Sequence, residues 1–100
     1  MRFETEFDYM LKIREGQGLP PNPEEGREYS FEKTIERIYP LNLPIYLIDD
    51  DMNVIGKCVI VSYTVGEGVT KGKYKIIKVY NESERKIFTK DVGESFGYGV

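Results

Sequence analysis

Residues 54–79 read VIGKCVIVSYTVGEGVTKGKYKIIKV. From Val54 to Val65 the chain is dense in β-branched and aromatic residues, which suit a pleated, half-buried surface. Val59, Val61, Tyr63 and Val65 share one parity, and Cys58, Ile60, Ser62 and Thr64 the other. Both parities are largely apolar near the start, which places that end centrally in a sheet. Gly66 to Gly72 reads as a glycine-bounded loop and Lys73 to Tyr80 as the return strand, so the stretch is a hairpin. A phosphate-binding loop is the rival reading of Gly66 to Lys73, and it fails. The spacing is wrong, Tyr74 stands where Ser or Thr is required, and no helix follows to aim its amides at an anion.

Upstream, Leu41 to Ile48 is a further strand, with Pro44 marking either an edge position or a strand start, since proline donates nothing to a ladder. Asp49 to Asn53 is a turn of residues that tolerate tight backbone. Asp49, Asp51 and Asn53 match the opening of a calcium loop, but Val54 and Ile60 occupy the positions that need Gly and Glu. Residues 27–40 are ambiguous. Phe31, Ile35, Ile38 and Tyr39 make a helical stripe that Ser30 could cap, while Tyr29, Phe31, Ile35 and Tyr39 share strand parity. A short helix near residues 30–38 and a bent strand both fit. Glu15 to Gly26, with three glycines and three prolines, is a long loop. Phe3 to Arg14 alternates apolar and polar residues and reads as a strand with one wet face.

Downstream, Asn81 to Arg85 reads as a turn and Lys86 to Lys90 as a last strand. The count is about six short strands with at most one short helix, which predicts a mainly β fold, a small antiparallel barrel. Residues 1–92 form that single domain and 93–100 a flexible glycine-rich tail.

Composition narrows the function. Among 100 residues there is no His and one Cys, which excludes a histidine-based triad, a Cys/His zinc site and an internal disulfide. Cys58, inside an apolar strand start, is expected to be a buried, inert thiol. No leader and no apolar run near membrane-spanning length is present, so the expectation is a cytoplasmic protein without a membrane partner. No catalytic residue, metal site or cofactor is expected. The net charge of −3 is unevenly spread. Residues 1–32 hold four basic and eight acidic side chains, whereas residues 57–80 hold five lysines and one acid, Glu67. Lys71, Lys73 and Lys75 share a parity and could neutralise phosphates together. They could equally guard an exposed sheet edge or simply solvate a face.

Lys33-Thr34-Ile35-Glu36-Arg37, after a long loop and before a run of strands, resembles the signature of ASCH domains, which belong to the PUA-like barrels and carry G-x-K-x-x-E-x-R. Phe31 stands in the place of the glycine, and Arg37 follows Glu36 directly. The resemblance implies a small barrel with an RNA-facing cleft in which Lys33, Glu36 and Arg37 inherit the roles. The phrases MLKIREGQGLPPNPEEG, SFEKTIERIYPLNLPI and IGKCVIV resemble a family of small proteins from Gram-positive bacilli, which implies an intracellular bacterial protein and brings no activity with it. The leading expectation is a non-enzymatic binding module for RNA or a nucleotide, held by Lys33, Glu36, Arg37, Lys71, Lys73 and Lys75. The alternative is a protein-interaction or regulatory module with no nucleic-acid binding.

Overall fold

The computed structural model describes residues 9–96. In chain order the elements are β1 (Met10–Lys12), a 3-10 turn (Glu15–Gln17), β2 (Glu28–Lys33), β3 (Ile45–Ile48), β4 (Val54–Gly66), β5 (Val69–Val79) and α1 (Glu82–Phe96). The five strands form one sheet in the order β1-β3-β4-β5-β2. All neighbours are antiparallel except β1 and β3, which run parallel. The fold is therefore mainly β, as the composition indicates, but the sheet is mixed and open, with β1 and β2 at its edges, rather than closed into an antiparallel barrel. The alternation over Phe3–Asp8 and the last four residues of the tail lie outside the described residues.

The central hairpin is longer and tighter than the glycines suggest. Only Glu67 and Gly68 turn, with φ of 54° and 79°. Two successive positive φ values match the twist of the flanking strands, so β5 resumes at once at Val69 and the loop expected over Gly66–Gly72 is strand for most of its length. Pro44 immediately precedes β3, the start-of-strand reading. Asp49 organises the next turn: its Oδ1 accepts the amides of Asp51 at 3.0 Å and Asn53 at 2.8 Å, which explains the acidic knot without a metal.

The sheet has two unlike faces. On the core face Leu11, Ile45, Leu47, Cys58, Ile60, Tyr74 and Ile76 are buried in one cluster. Among the described residues no α-helix covers them. The chain leaves β1 at one edge and reaches β2 at the other, so residues 13–27 must traverse the sheet, and Ile13 and Leu19 pack on it as they go. The Tyr74 hydroxyl donates to the Gly18 carbonyl at 2.8 Å and pins that passage. Residues 34–44 make the return. Tyr39 is buried against Phe31 and Tyr63, Thr70 Oγ1 donates to the Ile35 carbonyl and accepts the Arg37 amide, both at 2.8 Å, and the Asn42 amide donates to Ile60. Over residues 30–38, where a short helix and a bent strand both fit the sequence, the structure has no helix: β2 runs Glu28–Lys33 and residues 34–38 are this irregular crossover.

The helix lies elsewhere. Asn81 Oδ1 accepts the Glu84 amide at 2.8 Å and Glu84 Oε1 accepts the Asn81 amide at 3.0 Å, a reciprocal cap that starts α1 where a turn and a final strand were expected. Phe88 stacks on Tyr80 with centroids 4.4 Å apart, and Thr89 Oγ1 accepts the Val54 amide, so α1 docks on the opposite face of the sheet beside Tyr46, Ile48 and Val54. This second face is the helix face. Among the described residues no helix is long and apolar enough to cross a membrane.

Candidate functional site

Two β-bulges decide what the helix face carries. In β4, Ile60 pairs with Tyr74 and Ser62 with Lys73, so Val61 is an extra residue. Beyond it the parity changes: Tyr63 turns to the core face with Cys58 and Ile60, and Ser62 and Thr64 turn to the helix face. The expected common face of Val59, Val61, Tyr63 and Val65 is therefore split. In β5, Ile76 pairs with Cys58 and Lys78 with Lys57, so Ile77 is the extra residue. Lys78 would fall on the core face by simple alternation; the bulge brings it onto the face of Lys75. Bulges commonly re-aim side chains in this way.

The result is a row. Lys71, Lys73, Lys75 and Lys78 lie along β5 on the helix face, all exposed, with Lys57 of β4 opposite Lys78. The Lys57 ammonium sits 5.5 Å from the centroid of the Tyr46 ring. Because β5 lies between β4 and β2, these lysines guard no edge, and that reading of them is corrected. On β2, Glu28 stands opposite Lys75, Ser30 opposite Lys73 and Glu32 opposite Lys71. Among the described residues none of the four β5 lysines closes an ion pair within 4 Å. The strands β2, β4 and β5 thus present five lysines and two glutamates on one face. Like charges directly opposite each other, as at Lys57 and Lys78, cost stability unless something neutralises them.

Near the hairpin end of β4, β5 and β2 lies a depression of about 550 Å³ around Gly72, lined by Phe31 and Tyr63 and by Gln17 and Gly18 of the core-face passage, with flanking residues of the three strands completing its wall. Gly72 is central to it. A Cβ at Gly72 would overlap the Ser62 carbonyl oxygen and come within 2.6 Å of Tyr63 Cα, so only glycine lets β4 and β5 close up there. Phe31, Gly72 and Tyr63 share the core face, and Gly18 accepts the hydroxyl of the core-face Tyr74, so this mainly apolar recess opens on the core side, apart from the lysine row. Nothing in it forms a nucleophile–base pair.

The six residues expected to act together divide between the faces. Lys33 points to the core face, 9% exposed, across from Thr70. Glu36 Oε2 accepts the Gly68 amide at 3.0 Å and so fastens the hairpin turn to the crossover. Arg37 is held through its own amide by Thr70. Only Lys71, Lys73 and Lys75 reach the helix face, and Lys57, Lys78, Ser30, Ser62 and Thr64 join them there. Their sequence parity does not reveal this, because the register shifts come from strand pairing. Cys58 is fully buried, and burial pushes its thiol up from 9.0 to about 12, so it is a core residue without nucleophilic character. Burial also raises Tyr74 above the usual phenol range.

No family model and no curated protein matches the sequence. Among solved structures, the crystal structure of protein ytmB from Bacillus subtilis is similar, with a TM-score of 0.59 and 21% identity over 80% of this chain and 95% of that one. At that identity the likeness is one of fold.

Proposed function

We propose that the chain is a cytoplasmic, non-enzymatic binding module that takes an anionic ligand, RNA or a nucleotide, on the helix face of its sheet. The observation that carries this reading is the lysine row itself: exposed ammonium groups aligned on an interior strand and closing no ion pair among the described residues. Phosphate binding by such a row is electrostatic and salt-dependent. The reading stands on Lys71, Lys73 and Lys75, not on the ASCH-like Lys33, Glu36 and Arg37, which serve the opposite face. A titration of labelled RNA and of a nucleotide at low and at moderate salt tests it. Affinity should fall with salt and weaken when Lys71, Lys73 and Lys75 become Ala. No binding of either probe at low salt would sink the proposal.

A second reading has its own observation. Ile35, Ile38, Leu41 and Leu43 are all at least 40% exposed, and all belong to the crossover of residues 34–44. Clustered exposed apolar residues favour a protein contact. That reading predicts that I38E/L41E abolishes a partner contact while leaving anion binding intact.

A further inference from the structure

We infer that the anion taken by this face is an extended single strand of RNA lying along β5, with successive phosphates on Lys71, Lys73, Lys75 and Lys78. The inference rests on the anion-binding reading above and sharpens it.

Four features of the face point the same way. The first is spacing. Residues i and i+2 of a strand lie about 6.6–6.8 Å apart on the same face, a step comparable to the backbone repeat of a stretched sugar–phosphate chain. The second is the bulge at Ile77, which adds Lys78 to a row that alternation alone would end at Lys75. The third is width. Glu28 and Glu32 lie on β2, one strand to the side, about 4.8 Å away. A single strand can follow the lysines and keep clear of these carboxylates. A duplex is much broader, and its second backbone would be driven over them. The other bank, Ser62 and Thr64 on β4, is uncharged and offers hydroxyl donors. The fourth is length. α1 packs against the face at the Lys57 end, so the track runs roughly 23 Å, the seven-residue span from Lys71 to Lys78. Among the described residues no aromatic ring lies within the β5 row itself, so recognition is by phosphate and is tolerant of sequence.

The test is an anisotropy titration with three probes: an RNA oligomer of about eight nucleotides, the same oligomer annealed to its complement, and a mononucleotide. Salt is varied between about 50 and 200 mM. The single strand should bind, with log K falling against log salt with a slope of about −3, since each of four phosphates contributes about −0.7. K71A, K73A, K75A and K78A should each flatten that slope by about 0.7, whereas R37A, on the other face, should leave it unchanged. The duplex should bind about tenfold or more weakly because its second strand meets like charge. E28Q/E32Q should raise duplex affinity toward that of the single strand. Duplex binding as tight as the single strand, a mononucleotide as tight as the oligomer, or a slope indifferent to K78A would each overturn the inference while leaving anion binding standing. If none of the three probes binds at low salt, both fall together.

Discussion

Replacing Tyr63 with Phe removes one oxygen atom and tests how the core face is roofed. That hydroxyl donates to the Tyr39 carbonyl and accepts the Tyr39 amide, each at 3.0 Å. The ring has a separate role, edge-on to the Tyr39 ring with centroids 5.8 Å apart, and Phe retains it. The variant therefore loses two hydrogen bonds and leaves two backbone groups in a part-buried site. A net hydrogen bond is worth about 0.5–1.5 kcal/mol, and an unsatisfied buried group costs about 1–3. The sum expected here is about 2 kcal/mol, tempered by the water that a half-buried site admits. For a chain of this size each kcal/mol lowers the melting temperature by about 4–8 °C, so Tyr63→Phe should melt roughly 8–16 °C below the parent. Tyr29→Phe is the control: its hydroxyl accepts the Glu24 amide at an exposed position, and the change should stay within about 0.5 kcal/mol. Thr70→Val removes the other tether of the same crossover and should cost a similar amount to Tyr63→Phe. Because both hold one segment, the double variant should cost less than the sum of the singles. Urea melts of the parent and the four variants decide the matter. A Tyr63→Phe midpoint indistinguishable from that of Tyr29→Phe would refute the claim that the 34–44 crossover is fastened there.

Three further outcomes follow from the same structure. Gly72→Ala should destabilise by about 1–3 kcal/mol, because its Cβ meets Ser62 and Tyr63 backbone, while Gly66→Ala, where the space is open, should not; urea midpoints compare them. Phe88→Ala should release α1 from Tyr80 and Tyr46, accelerating amide exchange in residues 82–91 more than in β4; uniform acceleration would show instead that helix and sheet open together. Cys58 titrates higher in the fold than unfolded, so its contribution to stability is complete below about pH 9 and is lost as pH rises toward 12, with Tyr74 adding in the same direction at higher pH. Melting temperatures from pH 8 to 11 should fall less steeply for Cys58→Ala than for the parent, and parallel curves would contradict the assignment.

The hairpin of residues 54–79, the Asp49 turn and the buried thiol were legible in the sequence because each follows from local composition. The shared parity of Lys71, Lys73 and Lys75 was legible for the same reason. What escaped depends on pairing. An alternation rule assumes an unbroken ladder, and the extra residues Val61 and Ile77 break it, moving Tyr63 to one face and Lys78 to the other. Phe31, Ile35, Ile38 and Tyr39 make a helical stripe, but the crossover buries Tyr39 and spends Thr70 on backbone groups that a helix would have satisfied itself. The helix at 82–96 had a readable sign in Asn81-Glu82-Ser83-Glu84, a capping-box spacing outweighed by a five-residue alternation too short to decide. Lys33, Glu36 and Arg37 adjoin in sequence, but they sit at the end of a strand and the start of a crossover, which carries them to the core face.

The most direct test of the functional face is an amide-resolved NMR titration of the intact chain with a short single-stranded RNA at low salt. The account predicts shifts concentrated in residues 30–32, 62–64 and 71–78, with little change at 35–41 on the opposite face. Shifts confined to 35–41, or none anywhere at saturating RNA, would contradict it.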